Sequence, residues 1–425
     1  MRKVLPFFIL PFLCNNVFAD EAKDKKNLKL TIKGEINSTL GLTSQKPEFQ
    51  KQVSDDNKLT DQDISKNAIS NSGTIKFYAD YLDNNDFGYG AYVKLNANTS
   101  KSPSGSKEIA QELKIYLQSN YGKFELGSTS SAMSELSVNP YDLARATGGL
   151  DGDASGWFNA GFAYGNDKDV INNVFITEPK LLLGYDNGGK SNKINYYTPV
   201  INGFTFGVSY VPDGSAKGTI ASTRQVPKSS KANAFKNIIQ PGIKYQGRLS
   251  DNVTFATSVT SEFGKAKDYK YKNGVSDTIV RRNNLAAWQV GGMLNIYDVS
   301  FAASYGNNGK SGTKRDQEAG KKYLGNYWSV GSAFAKEKYG ISVNYMESRR
   351  AGYIFGADDT TVGESSNNSE VNKFTALSIG ADYKVMEGLM PYIEYTKFNF
   401  HKNNNFTSAM FNDGHVVLVG TKLQF

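Results

Sequence analysis

Residues 28–42 read LKLTIKGEINSTLGL, and the spacing of two kinds of side chain along this stretch decides the fold. Leu28, Leu30, Ile32, Ile36, Leu40 and Leu42 share one parity; Lys29, Thr31, Lys33, Glu35, Asn37 and Thr39 share the other. Successive side chains of a strand point to opposite faces, so this period of two describes a strand with one apolar and one polar face. The stretch is long enough to cross a bilayer at a tilt, which takes ~9 to 11 residues.

The same pattern returns along the chain. At 73–82, Ile75, Phe77 and Tyr81 alternate with Thr74, Lys76 and Asp80, and at 89–98, Tyr89, Val93 and Leu95 alternate with Tyr92, Lys94 and Asn96. Further runs lie at 109–119, 123–129, 192–198, 204–211, 239–248, 253–262, 286–296, 299–306, 327–336, 339–347, 374–385, 391–400 and 415–425. The total is sixteen, an even number that suits a closed antiparallel barrel. Tight links (DNNDFG, NYG, LSDN, YD, EKY, MEGLM) alternate with long polar ones such as 43–71, 213–237, 265–285, 307–326 and 348–372. A transmembrane barrel puts its short turns on the periplasmic side and its long loops outside, whereas a soluble sandwich has no reason to sort them. The fold class expected is therefore all-β: a transmembrane antiparallel β-barrel of 16 strands over residues 28–425.

Composition agrees. The 425 residues contain 25 Tyr, 25 Phe, 41 Gly and only 11 Pro. Beyond the first residues no apolar run approaches the ~18 that a spanning helix requires. Residues 1–19 carry Arg2 and Lys3, an apolar run from Val4 to Leu13 and a close at Val17-Phe18-Ala19, the pattern of a cleaved signal peptide; residues 20–27 would follow as a short periplasmic segment. Cys14, the single cysteine, lies inside that segment, so the mature chain has no disulfide framework. Without Arg2 and Lys3 the formal charge falls from +8 to +6, and the lysines are scattered, which argues against a nucleic-acid surface. Two histidines, His401 and His415, are too few and too far apart for a metal site.

The third long connection, 130–191, exceeds the others and is acidic. Glu135, Asp142, Asp151, Asp153, Asp167, Asp169, Glu178 and Asp186 stand against Arg145, Lys168, Lys180 and Lys190, a net of about −4. Within it GYDNGGKS at 184–191 matches the phosphate-cradling pattern G-x-x-x-x-G-K-[ST] and follows Leu181, Leu182 and Leu183. The helix that such a loop needs is missing, because NKINYYTP follows and alternates like a strand. No cofactor is expected, and no nucleophile stands near a histidine at a spacing that would support hydrolysis. The chain closes on HVVLVGTKLQF, with Val417, Val419, Leu423 and Phe425 on one face.

With these features the sequence resembles the general porins of Gram-negative bacteria, especially those of α-proteobacterial type, over essentially the whole mature chain. The most specific pieces are the terminal strand ending in Phe425, NKINYYTPVINGFTFGVSYVPD at 192–213, and the long connection between the fifth and sixth strands. The resemblance implies a homotrimer in the outer-membrane lipid, with the third outer loop folded inward as a constriction. It also implies that Val417, Val419, Leu423 and Phe425 form the signal read by the barrel-assembly machinery. One difference stands at the loop tip, where GGLDGDASG at 148–156 replaces the PEFGG of enteric porins.

If the apolar parity faces lipid, Lys33, Lys76, Lys94 and Lys114 point into the lumen. Glu135, Asp142, Asp151 and Asp153 of the inserted loop then stand opposite them. Opposed charges across a narrow water-filled passage create a transverse field that favours polar solutes. The same lysines would equally serve as solvated lining paired with Glu35, Asp80, Glu112 or Glu125 on their own wall, and the loop aspartates as turn formers. The expected function is passive diffusion of small hydrophilic solutes and ions, without catalysis. A substrate-specific channel and a surface antigen or adhesin are the alternatives.

Overall fold

The computed structural model of the chain describes residues 28–53, 59–82, 87–98, 109–146, 149–151, 153–159, 161–164, 171–172, 186–219, 235–267, 269–273, 276–312, 325–351, 371–401 and 409–425. The expected signal peptide (1–19), the short segment after it (20–27) and the leucines at 181–183 lie outside these residues.

Sixteen strands close into one antiparallel barrel, each pairing with its sequence neighbours: β1 (Leu28–Gln45), β2 (Asn67–Leu82), β3 (Gly88–Asn96), β4 (Ala110–Ser119), β5 (Gly122–Ser128), β6 (Asn192–Tyr197), β7 (Phe204–Asp213), β8 (Phe235–Ser250), β9 (Val253–Ala266), β10 (Leu285–Ile296), β11 (Val299–Gly309), β12 (Gly325–Lys336), β13 (Tyr339–Ala351), β14 (Val371–Tyr383), β15 (Leu389–His401) and β16 (Asp413–Gln424). The seam joins β1 to β16 from Glu35↔Gln424 to Gln45↔Gly414. Beyond it the backbones of Gly34 and Phe425 exchange hydrogen bonds of 2.8 and 3.0 Å. Closure pairs every edge, the condition for placing a sheet in hydrocarbon.

The usual layout of a soluble protein is inverted. Leu30, Ile32, Ile115 and Val259 are exposed on the outer face, while Asn195, Ser209, Gln240, Glu262 and Glu394 of the inner face are fully buried. This follows from the alternation: the apolar parity has no core to enter and must meet lipid. Most strands reach farther into the long-loop end than the alternation implies, β2 beginning at Asn67 instead of 73 and β13 continuing to Ala351 instead of 347. Past the bilayer both faces meet water, so ladder hydrogen bonds continue where the apolar signal has stopped.

The turns at the other end are tight. Between β6 and β7, Asn202 and Gly203 both adopt left-handed backbone (φ 50° and 86°), as the two-residue turn that suits twisted strands demands. Aromatic side chains gather near that end in cross-strand pairs, among them Tyr81 on Tyr89 (4.8 Å between ring centres), Phe204 on Tyr245 (4.5 Å) and Tyr339 on Tyr383 (5.1 Å). A second belt toward the long-loop end includes Trp288 against Tyr305 and Trp328 against Tyr345. Two such girdles mark the two membrane surfaces.

Candidate functional site

The connection leaving β5 turns inward. Ser131 caps a five-residue helix, α1 (Ala132–Leu136), by accepting from the Ser134 N–H at 3.2 Å. The segment then follows the inner wall: α1 against β6 to β9, the 3-10 turn Pro140–Leu143 against β11 to β13, Gly149–Asp151 against β13 and β14, and Asp153–Gly156 against β16.

Two devices hold it there. Wall serines accept from its backbone, Ser209 Oγ from the Ala132 N–H (2.6 Å) and Ser258 Oγ from the Val138 N–H (2.9 Å). Inward glycines open a lane for it. A side chain at Gly291 would meet the carbonyl of Val138, and one at Gly331 would meet Pro140 and Leu143.

The root of the loop is tied by charge. Glu112 accepts from Thr129 Oγ1 (3.0 Å) and pairs with Lys190 (2.9 Å), while buried Lys193 donates to the Thr129 carbonyl (2.7 Å). Asn187 N–H donates to Glu262 (2.9 Å), and Gln240 donates to both Asp186 (2.8 Å) and Glu262 (3.1 Å). Lys190 and Ser191, which end the phosphate-loop-like motif, are occupied here; Ser191 Oγ donates to the Gly214 carbonyl (2.6 Å), and β6 follows directly.

The far end of the segment is tied by rings. The Trp157 ring covers Gly41 of β1, and Phe158 stacks on Phe398 at 4.0 Å beside Phe374 and Phe400. Gln45 accepts from the Asn159 N–H (3.2 Å) and Asn412 donates to the Asn159 carbonyl (2.6 Å). Residues 161–163 then pair with 409–411 of the last long connection.

The four lysines expected in the lumen lie on the inner parity of β1 to β4. Lys33, Lys76 and Lys94 form one cross-strand row that ends at Glu112. Tyr78 and Tyr92 form a tilted ring pair beneath it at 4.9 Å, and the Lys33 ammonium stands 5.8 Å from the Tyr78 ring centre. Lys114 is taken up locally: it pairs with buried Glu125 at 2.9 Å, an acid it shares with Lys123 (2.8 Å). Among the described residues Lys76 and Lys94 make no ion pair.

On the loop, Glu135 and Asp142 are exposed to the lumen. The surrounding wall desolvates the Asp142 carboxyl and pushes its pKa up to about 6, against the pull of Lys244 on β8. Asp151 and Asp153 sit in the two short turns beside β13, β14 and β16; their side chains lie outside the described part. The acidic part of the loop thus lies along β6 to β16 and the lysine row on β1 to β3, and only the far end of the loop, at Trp157 and Asn159, reaches β1.

Several residues that shape the site are absent from the expected set. Lys244 was readable, since it shares the inward parity of Gln240 on β8. Arg145 was not: it pairs with the Asp382 carboxylate on the adjoining β14 wall and donates to the Lys338 carbonyl at 3.4 Å, contacts far apart in sequence.

A family model described as Gram-negative porin matches residues 9–403. Relatives include an uncharacterized protein of Rickettsia conorii, 26% identical over 424 residues covering 85% of this chain and 88% of that protein. A Rickettsia prowazekii protein, also uncharacterized, is 25% identical with the same coverage. Among solved structures, a loop-deletion mutant of OmpT, an outer membrane protein of Vibrio cholerae, superposes with a TM-score of 0.52 at 12% identity, covering 94% of this chain and all of that one. A point mutant of the Rhodopseudomonas blastica porin gives 0.50 at 16% identity, covering 93% and 100%.

Proposed function

The chain belongs to the Gram-negative porin family, a channel barrel of the bacterial outer membrane, and from that premise we propose that it passes small hydrophilic solutes and ions without selecting one substrate. The observation that carries this reading is the pairing of an acidic inserted loop on β6 to β16 with the lysine row of β1 to β3. Solutes cross between them. Lys33, Lys76 and Lys94, with Lys114 partly neutralised behind them, form the positive side; Glu135 and Asp142 form the negative side, joined by Asp151 and Asp153 farther along the loop. The field across this gap orients water, so polar solutes exchange hydration for wall contacts at little cost while apolar ones do not.

Replacing Lys33→Glu together with Lys76→Glu reverses the sign of the positive side. The reversal potential in a planar bilayer under a salt gradient is expected to shift toward cations; an unchanged value rules the field out. Liposome swelling should fall smoothly with sugar size, and saturation by one solute would instead identify a specific channel.

Three further readings accompany this one. We assign residues 1–19 to a cleaved signal peptide. The β1 to β6 sector presents Leu40, Leu42, Ile69, Leu113, Ile115 and Ile194 outward, and we assign it to contact between three copies, in which case conductance steps arrive in threes. Val419, Leu423 and Phe425 are exposed on the outer face of β16; with Val417 they supply the alternating apolar surface we assign to the assembly machinery.

A further inference from the structure

If the passage is open as proposed, the register of its lysine row has a further consequence. In an antiparallel sheet each residue turns its N–H and C=O to one neighbouring strand and meets the other strand without hydrogen bonds. The Ala97 N–H donates to the Gly73 carbonyl, and the Asn96 N–H donates to the carbonyl of Ile109. Odd-numbered residues of β2 therefore bond to β3, and even-numbered residues of β3 bond to β4. Lys76 and Lys94 consequently face each other as an unbonded pair, the geometry in which Cα atoms approach to ~4.5 Å and side chains are nearest. Lys33 flanks Lys76 on the other side. Like charges directly opposite destabilise a sheet, and here three stand in line.

The two carboxylates beside the row already have partners. Glu112, next along it, pairs with Lys190 at 2.9 Å and accepts from Thr129 Oγ1 at 3.0 Å. Glu35, two residues beyond Lys33 on β1, faces Lys422 at 3.4 Å and accepts from Gln424 at 2.9 Å. The Glu35–Lys422 pair is neutral, and Lys33, Lys76, Lys94 and Lys190 less Glu112 leave a local charge of +3.

A site of this charge and spacing suits a dianion with several oxygens. The lysines of the row are half-buried, so salt screens them less than it would surface groups. Ammonium groups on flexible stems reach separate oxygens of one phosphate as charge-assisted donors. Tyr78, also half-buried, lies beneath the row. Its ring offers a flat surface to the carbon skeleton of an ester.

We propose that Lys76 and Lys94, with Lys33 beside them, bind the phosphate of a small phosphate monoester, of the sugar phosphate class, during its passage. Occupation cancels the repulsion along the row, so binding draws on a cost built into the strands. Neutral solutes find no such partner and cross without delay. The row is thus a transient stop for one class of solute in a channel that admits many.

The test records single-channel current through the purified full-length protein in a planar bilayer, with glucose 6-phosphate as the probe. Brief interruptions of the current are expected with the ester and none with glucose; gluconate, a monoanion of similar size, should interrupt it far less often. Lys76→Gln with Lys94→Gln should raise the half-effective concentration of the ester about tenfold, and Lys76→Arg with Lys94→Arg should restore it. Lys244→Gln, on β8 near Asp142, should leave it unchanged. Folding of each variant is checked by heat-modifiable gel mobility. Equal interruption by gluconate, an equal loss in Lys244→Gln, or an undiminished effect in the double glutamine variant each overturns the proposal. Inorganic phosphate is the second probe, and interruptions as long as those by the ester overturn the choice of an ester. The transverse field is read separately, as reversal potential without any probe, so its failure is distinguishable from the failure of this site.

Discussion

On the proposed reading, Asp142 sets the working range of the passage. Its pKa of about 6, raised from 3.8 by the enclosing wall, keeps the carboxylate charged at neutral pH. As pH falls through that value the group takes a proton while ordinary carboxylates, near 4, stay ionised. Cation preference is therefore expected to drop in one step around pH 6, measured as reversal potential, and Asp142→Asn should abolish the step. Gly291 sets position. With Val138's carbonyl where its Cβ would be, Gly291→Val should displace the loop and raise single-channel conductance while the barrel stays folded. At this scale legibility in the sequence was uneven. The inward direction of Lys33, Lys76 and Lys94 follows from parity alone. The uptake of Lys114 by Glu125 depends on the register that the turn after Ser119 imposes between β4 and β5, and alternation carries no information about register.

The inserted segment is held as an element, by serine acceptors at its start and by rings at its end. Phe158 is stacked among Phe374, Phe398 and Phe400, and aromatic pairs contribute ~0.5–1.5 kcal/mol each beyond simple burial. Phe158→Ala should free the far end of the segment: current noise rises and the sugar size cutoff increases in liposome swelling, with little change in the barrel's own unfolding. Nothing in the sequence marked Trp157 and Phe158 as an anchor, because their partners lie more than a hundred residues away for Trp157 and more than two hundred for Phe158. The sixteen strands, by contrast, were each legible, since a lipid-facing residue every second position is a local signal. Their outer ends were not: Asn67, Ser70, Asn71 and Ser72 extend β2 where neither face needs to be apolar.

For the whole molecule the decisive contact is the seam. Gly34 leaves a gap in the lipid face of β1, and the Phe425 ring lies over it. Gly34→Leu forces that ring away, so slower assembly is expected, with more heat-unmodified protein at early times of refolding; Phe425→Ala should produce a similar delay. At the opposite end Asn412 donates to Gln45 (2.7 Å) and to the Asn159 carbonyl, while residues 409–411 are zipped to 161–163. The cell-facing exterior is thus geared to the lumen. A force applied at 409–411 travels through a strand ladder to residues only three positions beyond the Phe158 clamp, so an antibody that grips this connection should act as a lever on the channel, its arrival read as a step in single-channel current.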